Sequence, residues 1–217
     1  MIKNVKLIGF DLDGTLANSL GDICNAVNYA LRSFGFPERE LAEFNHIVGN
    51  GHYLAIVRSC PEGTDEETIY KVMDVYLKYY DEHCGINTVL YDGIEELIDT
   101  LRDRGYKLAV MTNKVEETAV RVMNSFFPEG TFAVIQGNRE DLPLKPLPDC
   151  GLWVCDQVGV KPEETVYVGD IGSDMVFSKN AEFFSVGASW GFRGRDELLE
   201  NGADIIIDHP MDLIDYL

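Results

Sequence analysis

The chain has 217 residues, room for one large domain or a core with a modest insertion, and its 46% hydrophobic content is ordinary for a globular protein. Its 37 acidic residues against 18 basic ones give a formal charge of −19, a sign that repels a phosphate backbone and excludes nucleic acid as the expected partner. An anionic small molecule stays open, because a few local cations, a metal ion and backbone N–H groups outweigh a distant net charge.

In chain order, the run 5–10 is short, β-rich and apolar on both faces, as in a strand buried within a parallel sheet, and it ends at Asp11. Nearly a hundred residues separate it from the next strand signal, and most of them read as helix. Leu20, Ile23, Cys24, Val27, Leu31 and Phe34 share one helical face, and Gly35 and Pro37 stop the pattern. A second helix is expected to start at Thr64, whose spacing to Glu67 is that of a capping box, and to run towards Gly85. From Gly93 a further helix carries Ile94, Leu97, Ile98 and Leu101 and stops near Gly105. Strand-like runs then recur at 107–111, 132–135, 165–168, 184–186 and 204–207, with helical patterns between most of them.

This alternation predicts an α/β fold, a doubly wound parallel sheet with a Rossmann-like core of residues 1–17 and 88–217, interrupted by an all-helical insertion at 18–87. No segment approaches the ~18–20 apolar residues of a membrane span, so no membrane partner is expected. Five widely spaced cysteines lack the paired spacings of a zinc site and read as reduced, and the first residues lack a signal-peptide layout. A cytoplasmic location is expected.

Four polar clusters follow predicted strands, at the sheet edge where ligands bind in open α/β folds. They are Asp11-Leu12-Asp13-Gly14-Thr15-Leu16, Thr112-Asn113-Lys114, Lys145-Pro146 and Gly169-Asp170-Ile171-Gly172-Ser173-Asp174. Asp11 and Asp13, one residue apart on a chain leaving a strand, can face one pocket, with Gly14 permitting the turn. One acid can then attack while the other moves protons. Taken alone, the pair is also an ordinary Asp-Gly turn. Asp170 and Asp174 add two further carboxylates, and four acids sharing a pocket call for a hard divalent cation such as Mg²⁺, although Asp174 also suits a helix cap. Thr112, Asn113 and Lys145 offer the hydroxyl, amide and ammonium donors that a transferring phosphoryl group needs.

In this order and at these strand ends, the clusters resemble the haloacid dehalogenase-like hydrolase superfamily over essentially the whole chain. The resemblance implies that Asp11 is the nucleophile and that Asp13 is the general acid/base, with its backbone carbonyl on Mg²⁺. It further implies that Thr112 and Lys145 hold the phosphoryl group and that Asp170 and Asp174 complete or orient the metal site. The helical insertion, the loop Val48-Gly49-Asn50-Gly51, the stretch Lys145-Pro146-Leu147-Pro148-Asp149 and Trp190-Gly191-Phe192 are similar to the phosphoglycolate phosphatases. Gly14, Asn113, Asn50 and Gly51 join the candidate substrate contacts, and the implied partner is a small phosphorylated metabolite beneath a closing helical cap. Val115 and Glu182 depart from that pattern, which often has proline and glycine at these positions.

A phosphosugar mutase on the same scaffold is disfavoured by Thr15, where mutases tend to carry valine. A dehalogenase would lack the acid at Asp13. A signalling receiver domain would be shorter and would place its acid pair differently, and a non-catalytic phosphate-binding protein would not need the complete set of Asp11, Asp13, Lys145 and Asp170. His46, His52, His83 and His209 are scattered, without ligand spacing.

Overall fold

The computed structural model covers residues 1–217. Strand β1 (Leu7–Phe10) leads through a tight turn to the two-residue strand β2 (Ala17–Asn18), and the long helix α1 (Leu20–Ser33) follows. Next come α2 (Phe44–Ile47), α3 (His52–Ser59), α4 (Glu66–His83) and the returning strand β3 (Val89–Leu90). The remainder alternates: α5 (Ile94–Asp103), β4 (Lys107–Val115), α6 (Glu116–Phe126), β5 (Val134–Asn138), α7 (Asp149–Val158) and β6 (Thr165–Gly169). It closes with α8 (Gly172–Asn180), β7 (Phe184–Ala188), α9 (Arg195–Glu200) and β8 (Ile205–Ile207).

The chain divides into two compact units, Met1–Ala17 with Leu90–Leu217, and Asn18–Val89. The first holds a six-stranded sheet of order β5-β4-β1-β6-β7-β8, parallel at every pairing. From β1 the chain order runs outward on one side through β4 and β5, and on the other through β6, β7 and β8. The winding therefore reverses beside β1, and the C-terminal ends of β1 and β6 flank the resulting crevice. Every residue of β1 and β6 is buried, which explains why both strands read as continuous apolar runs instead of alternating ones. Helix α5 offers the sheet a single stripe, Ile94, Leu97, Ile98 and Leu101, all fully buried, each contributing about 1.5–3 kcal/mol of burial. No helix is long and apolar enough to cross a membrane.

Two sequence expectations are corrected. Helix α4 is capped by Asp65, whose carboxylate accepts the Thr68 amide at 2.9 Å and the Thr68 hydroxyl at 2.8 Å. Thr64 instead donates its hydroxyl to the Pro61 carbonyl at 2.7 Å, so the cap lies one residue later than its spacing to Glu67 suggested. Thr112, Asn113 and Lys114, expected in a loop beyond the strand, belong to β4, which runs to Val115 with a register shift between Met111 and Val115. That irregularity re-aims side chains at the strand end, as bulges do.

In the helical unit, Asp22 ties the first turn of α1 to the returning segment. Its carboxylate accepts the amides of Gly85 and Asn87, the Asn87 side-chain amide at 2.8 Å and the Thr88 hydroxyl at 2.6 Å. Burial pushes the Asp22 carboxyl up, but these hydrogen bonds outweigh it and leave the group below its ordinary value. A lowered carboxyl pKa stabilises the fold above the unfolded value and is lost as pH falls through the folded one. Asp22→Ala therefore lowers unfolding free energy by about 3 kcal/mol at pH 7, read by urea denaturation, and the difference from wild type shrinks only below about pH 4.

Candidate active site

The turn after β1 is wound around one carbonyl. Leu12 O accepts the amides of Thr15, Leu16 and Ala17, and the fully buried side chains of Leu12 and Leu16 anchor the turn in the core. Asp11 heads it. Its amide continues the sheet ladder to Val168 O at 2.9 Å, which fixes the backbone against β6. Its Oδ1 accepts the Leu12 amide at 2.7 Å and lies 3.1 Å from Lys145 Nζ.

Lys145 enters from the segment before α7, and the Lys145–Pro146 peptide is cis. Asn113 holds its backbone from both sides: the Lys145 amide donates to Asn113 Oδ1 at 2.9 Å and Asn113 Nδ2 donates to Lys145 O at 3.1 Å. The ammonium is 2.7 Å from Asp174 Oδ1 and 2.7 Å from the Tyr167 hydroxyl, besides Asp11. All three N–H donors of an ammonium thus have partners. Tyr167, wholly buried on β6, donates its own hydroxyl hydrogen bond to Met111 O at 2.8 Å.

Asp170 and Asp174 are both fully buried. Asp174 lies in the first turn of α8, where Oδ2 accepts the amides of Asp170 and Ile171, so it caps the helix and binds Lys145 at once. Asp170 Oδ1 accepts the Thr15 hydroxyl at 2.9 Å and its Oδ2 the Phe192 amide at 2.8 Å. Trp190 Nε1 donates to Thr15 O at 3.0 Å, which draws the loop after β7 over the same turn. The packing is close enough to require glycine: a Cβ on Gly14, at φ +91°, would lie 2.2 Å from Asp170 Oδ2, and one on Gly191 2.2 Å from Asp170 Cβ. The Gly14 amide itself donates to Ala17 O at 2.9 Å. Thr112 is buried, and its hydroxyl accepts the Lys114 amide at 3.3 Å.

One edge of the sheet therefore gathers Asp11, Asp13, Gly14, Thr112, Asn113, Lys145, Asp170 and Asp174. Asn50 and Gly51 lie in the helical unit, between α2 and α3. There Asn50 Oδ1 accepts from Arg58 Nη2 at 3.1 Å, and Gly51 precedes α3 at φ +84°. Sequence reasoning passed over two residues of the edge. Lys114 stood within a quoted cluster but received no role, although it pairs with Asp13 at 2.9 Å. Tyr167 reads as a core strand aromatic, and nothing in its local sequence marks it out.

The electrostatics leave a surplus. Asp11, Asp170 and Asp174 each bring an oxygen within 4.8 Å of the others, against the single ammonium of Lys145. Burial, with Asp174 and Asp13 adding to it and Lys145 opposing it, pushes the Asp11 carboxyl up to about 6. Burial and then the charges of Asp174 and Asp11 raise Asp170 well above the carboxylate range. Burial pulls the Lys145 ammonium down, but Asp11 and Asp174 outweigh it and keep it charged. Crowded, buried carboxylates of this kind fit a hard divalent cation with oxygen ligands.

Comparisons with known proteins give the chain's family. The family model of haloacid dehalogenase-like hydrolases matches residues 8–188. The chain belongs to this family. It is 31% identical to the phosphoglycolate phosphatase of Haemophilus influenzae (strain 86-028NP), with 100% of each chain covered. It is 32% identical to that of Xanthomonas campestris pv. campestris (strain 8004), over 96% of this chain and 94% of the other. A solved structure from Lactobacillus delbrueckii subsp. bulgaricus superposes with a TM-score of 0.92 at 28% identity, covering 98% of both chains. This hydrolase has the parallel sheet and flanking helices of its family.

Raised carboxyl values make the folded state hold protons more tightly than the unfolded one, so stability falls as pH rises from about 4 through about 6 for Asp11 and continues to fall above that for Asp170. A divalent cation that bound the ionised cluster would reverse that loss. Millimolar Mg²⁺ thus raises the melting temperature of the metal-free protein by several degrees at pH 7.5 and by much less at pH 5, as calorimetry will record.

Proposed function

We propose that this hydrolase is a Mg²⁺-dependent phosphatase that cleaves a small phosphomonoester through an aspartyl-phosphate intermediate. The observation that carries this reading is the Asp11 carboxylate, buried at the end of β1 with Oδ1 accepting the Leu12 amide and lying against Lys145 Nζ. Asp11 is the nucleophile, and an acyl phosphate divides one hard displacement into two easier ones. Asp13 protonates the leaving oxygen and then deprotonates water. Thr112 and Lys145 receive the phosphoryl oxygens. Asn113 acts through the Lys145 backbone, and Gly14 keeps the turn close to Asp170. Asp11 and Asp170, with the backbone carbonyl of Asp13 and with Asp174 orienting the set, would hold Mg²⁺, which supplies charge neutralisation for the transferring group. The acidic chain then needs no basic surface to accept an anion.

The relatives named phosphoglycolate phosphatases make 2-phosphoglycolate the first candidate substrate. A panel of phosphorylated metabolites assayed with and without Mg²⁺ tests the reading. Turnover is expected on compact phosphomonoesters and is abolished by chelation, and Asp11→Asn lowers it by at least about a thousandfold while the protein stays folded. Full activity after exhaustive chelation, or in folded Asp11→Asn, would sink the proposal.

Selection of the non-phosphate end of the substrate falls to the loop carrying Asn50 and Gly51. Two glycines at positive φ, Gly49 and Gly51, leave room for close backbone approach, and Arg58 fixes the Asn50 amide through Oδ1. Asn50→Ala is expected to lower kcat/KM for the best metabolite by about tenfold, the scale of one lost polar contact, and to leave a generic aryl phosphate within about twofold. Equal losses on both would show that the loop does not select substrate.

A further inference from the structure

Lys114 is the second nearly buried lysine at the sheet edge, and the roles assigned above leave it without a function. Its side chain is 1% exposed, and Nζ reaches both oxygens of Asp13, at 2.9 and 3.1 Å. The two residues are 101 positions apart in sequence, and the contact is made by the irregular end of β4, where the Lys114 amide also bonds the Thr112 hydroxyl. Stability alone accounts poorly for this lysine. Removing an ammonium from water costs several kcal/mol, so a lysine buried at this edge is an expensive way to secure the fold. What the arrangement does supply is direction. A two-oxygen contact removes the rotational freedom that a carboxylate on a turn would otherwise keep, and the 18% of side-chain surface open to solvent leaves Asp13 able to meet another molecule.

Resting on the aspartyl-phosphate reading, we propose that Lys114 is the positioning residue for Asp13, holding its carboxyl group where both proton transfers take place. In the first step Asp11 attacks phosphorus and the bond from phosphorus to the ester oxygen breaks. The electron pair leaves on that oxygen, which takes the proton of Asp13. In the second step water attacks the phosphorus of the acyl phosphate and gives a proton back to Asp13. The bond to the Asp11 oxygen then breaks, releasing inorganic phosphate and restoring both acids. Lys114 acts through Asp13, so its removal weakens the steps that need a well-placed proton carrier and spares those that do not.

Leaving groups separate these cases. An alkyl phosphomonoester needs protonation at its departing oxygen, whereas p-nitrophenolate leaves almost unaided, yet both form the same phospho-enzyme, whose hydrolysis needs Asp13. Wild type, Lys114→Met, Lys114→Arg and Asp13→Asn are compared in rapid-mixing and steady-state assays with Mg²⁺, after thermal unfolding has established that each is folded. For Lys114→Met, kcat falls at least about tenfold on both substrates, a fraction of what a general acid/base contributes, while KM stays within about twofold for the alkyl ester and falls along with kcat for p-nitrophenyl phosphate. With p-nitrophenyl phosphate the variant releases a burst of about one nitrophenolate per active site and accumulates acid-stable phospho-enzyme, and with the alkyl ester it shows no burst. Asp13→Asn gives the same signature more strongly, and Lys114→Arg recovers part of the rate. Unchanged kcat, a rise in KM alone, or a loss without a burst would overturn the assignment. Should Lys114→Met melt below the assay temperature, Lys114→Arg decides by the same burst. A wild-type protein that forms no phospho-enzyme would instead overturn the reading beneath the proposal, and the proposal with it.

Discussion

The Lys145 ammonium, bonded to two carboxylates and a phenol in a space nearly closed to water, is the contact on which the rest of this sheet edge depends. Asp11 reaches it from the end of β1, Asp174 from the first turn of α8 and Tyr167 from within β6, and Asn113 of β4 grips the lysine backbone. One cation thereby ties three neighbouring strands and a helix into a single register. A buried ion pair stripped of one partner typically destabilises a fold by about 3–5 kcal/mol, because the remaining charge has no water to solvate it. Here the imbalance is already present, since Asp170 joins the two bonded carboxylates within 4.8 Å, and Asp11 and Asp170 are held above their ordinary values. A site arranged for folding alone would not keep that surplus. Perturbed acids gathered at a strand switch point are what chemistry requires.

The pattern of the sequence carried much of this because the physics is local. Strands buried on both faces must be short apolar runs, so β1 and β6 are visible as such, and the polar residues that end them lie on one edge. The α5 stripe is equally plain. The errors arose where a distant contact overrides a local rule. Thr64 has the spacing of a capping box, but its hydroxyl turns back to Pro61 and Asp65 caps the helix. Thr112 to Lys114 resemble the start of a loop, yet a register shift against β5 keeps them in the strand and aims them at the edge. Tyr167 and Lys114 have partners 22 and 101 residues away, a separation no local pattern encodes. Glu182, a departure from the glycine common in relatives, sits at φ +60°, the left-handed conformation that glycine adopts freely and other residues enter at about 1–2 kcal/mol.

How a chain of net charge −19 can draw in an anion then becomes a question of range. At physiological ionic strength, charges on the surface are largely screened beyond about 8 Å, whereas buried groups act at full strength on their neighbours. Of the 18 basic residues, Lys114 and Lys145 have almost no exposed side-chain surface, and both are fixed within 3.1 Å of an acid of the first cluster. Screening silences the rest of the surface far more than it silences these two. Three carboxylates against one ammonium leave a local excess of negative charge, the charge that a single divalent cation would offset before an anion approached.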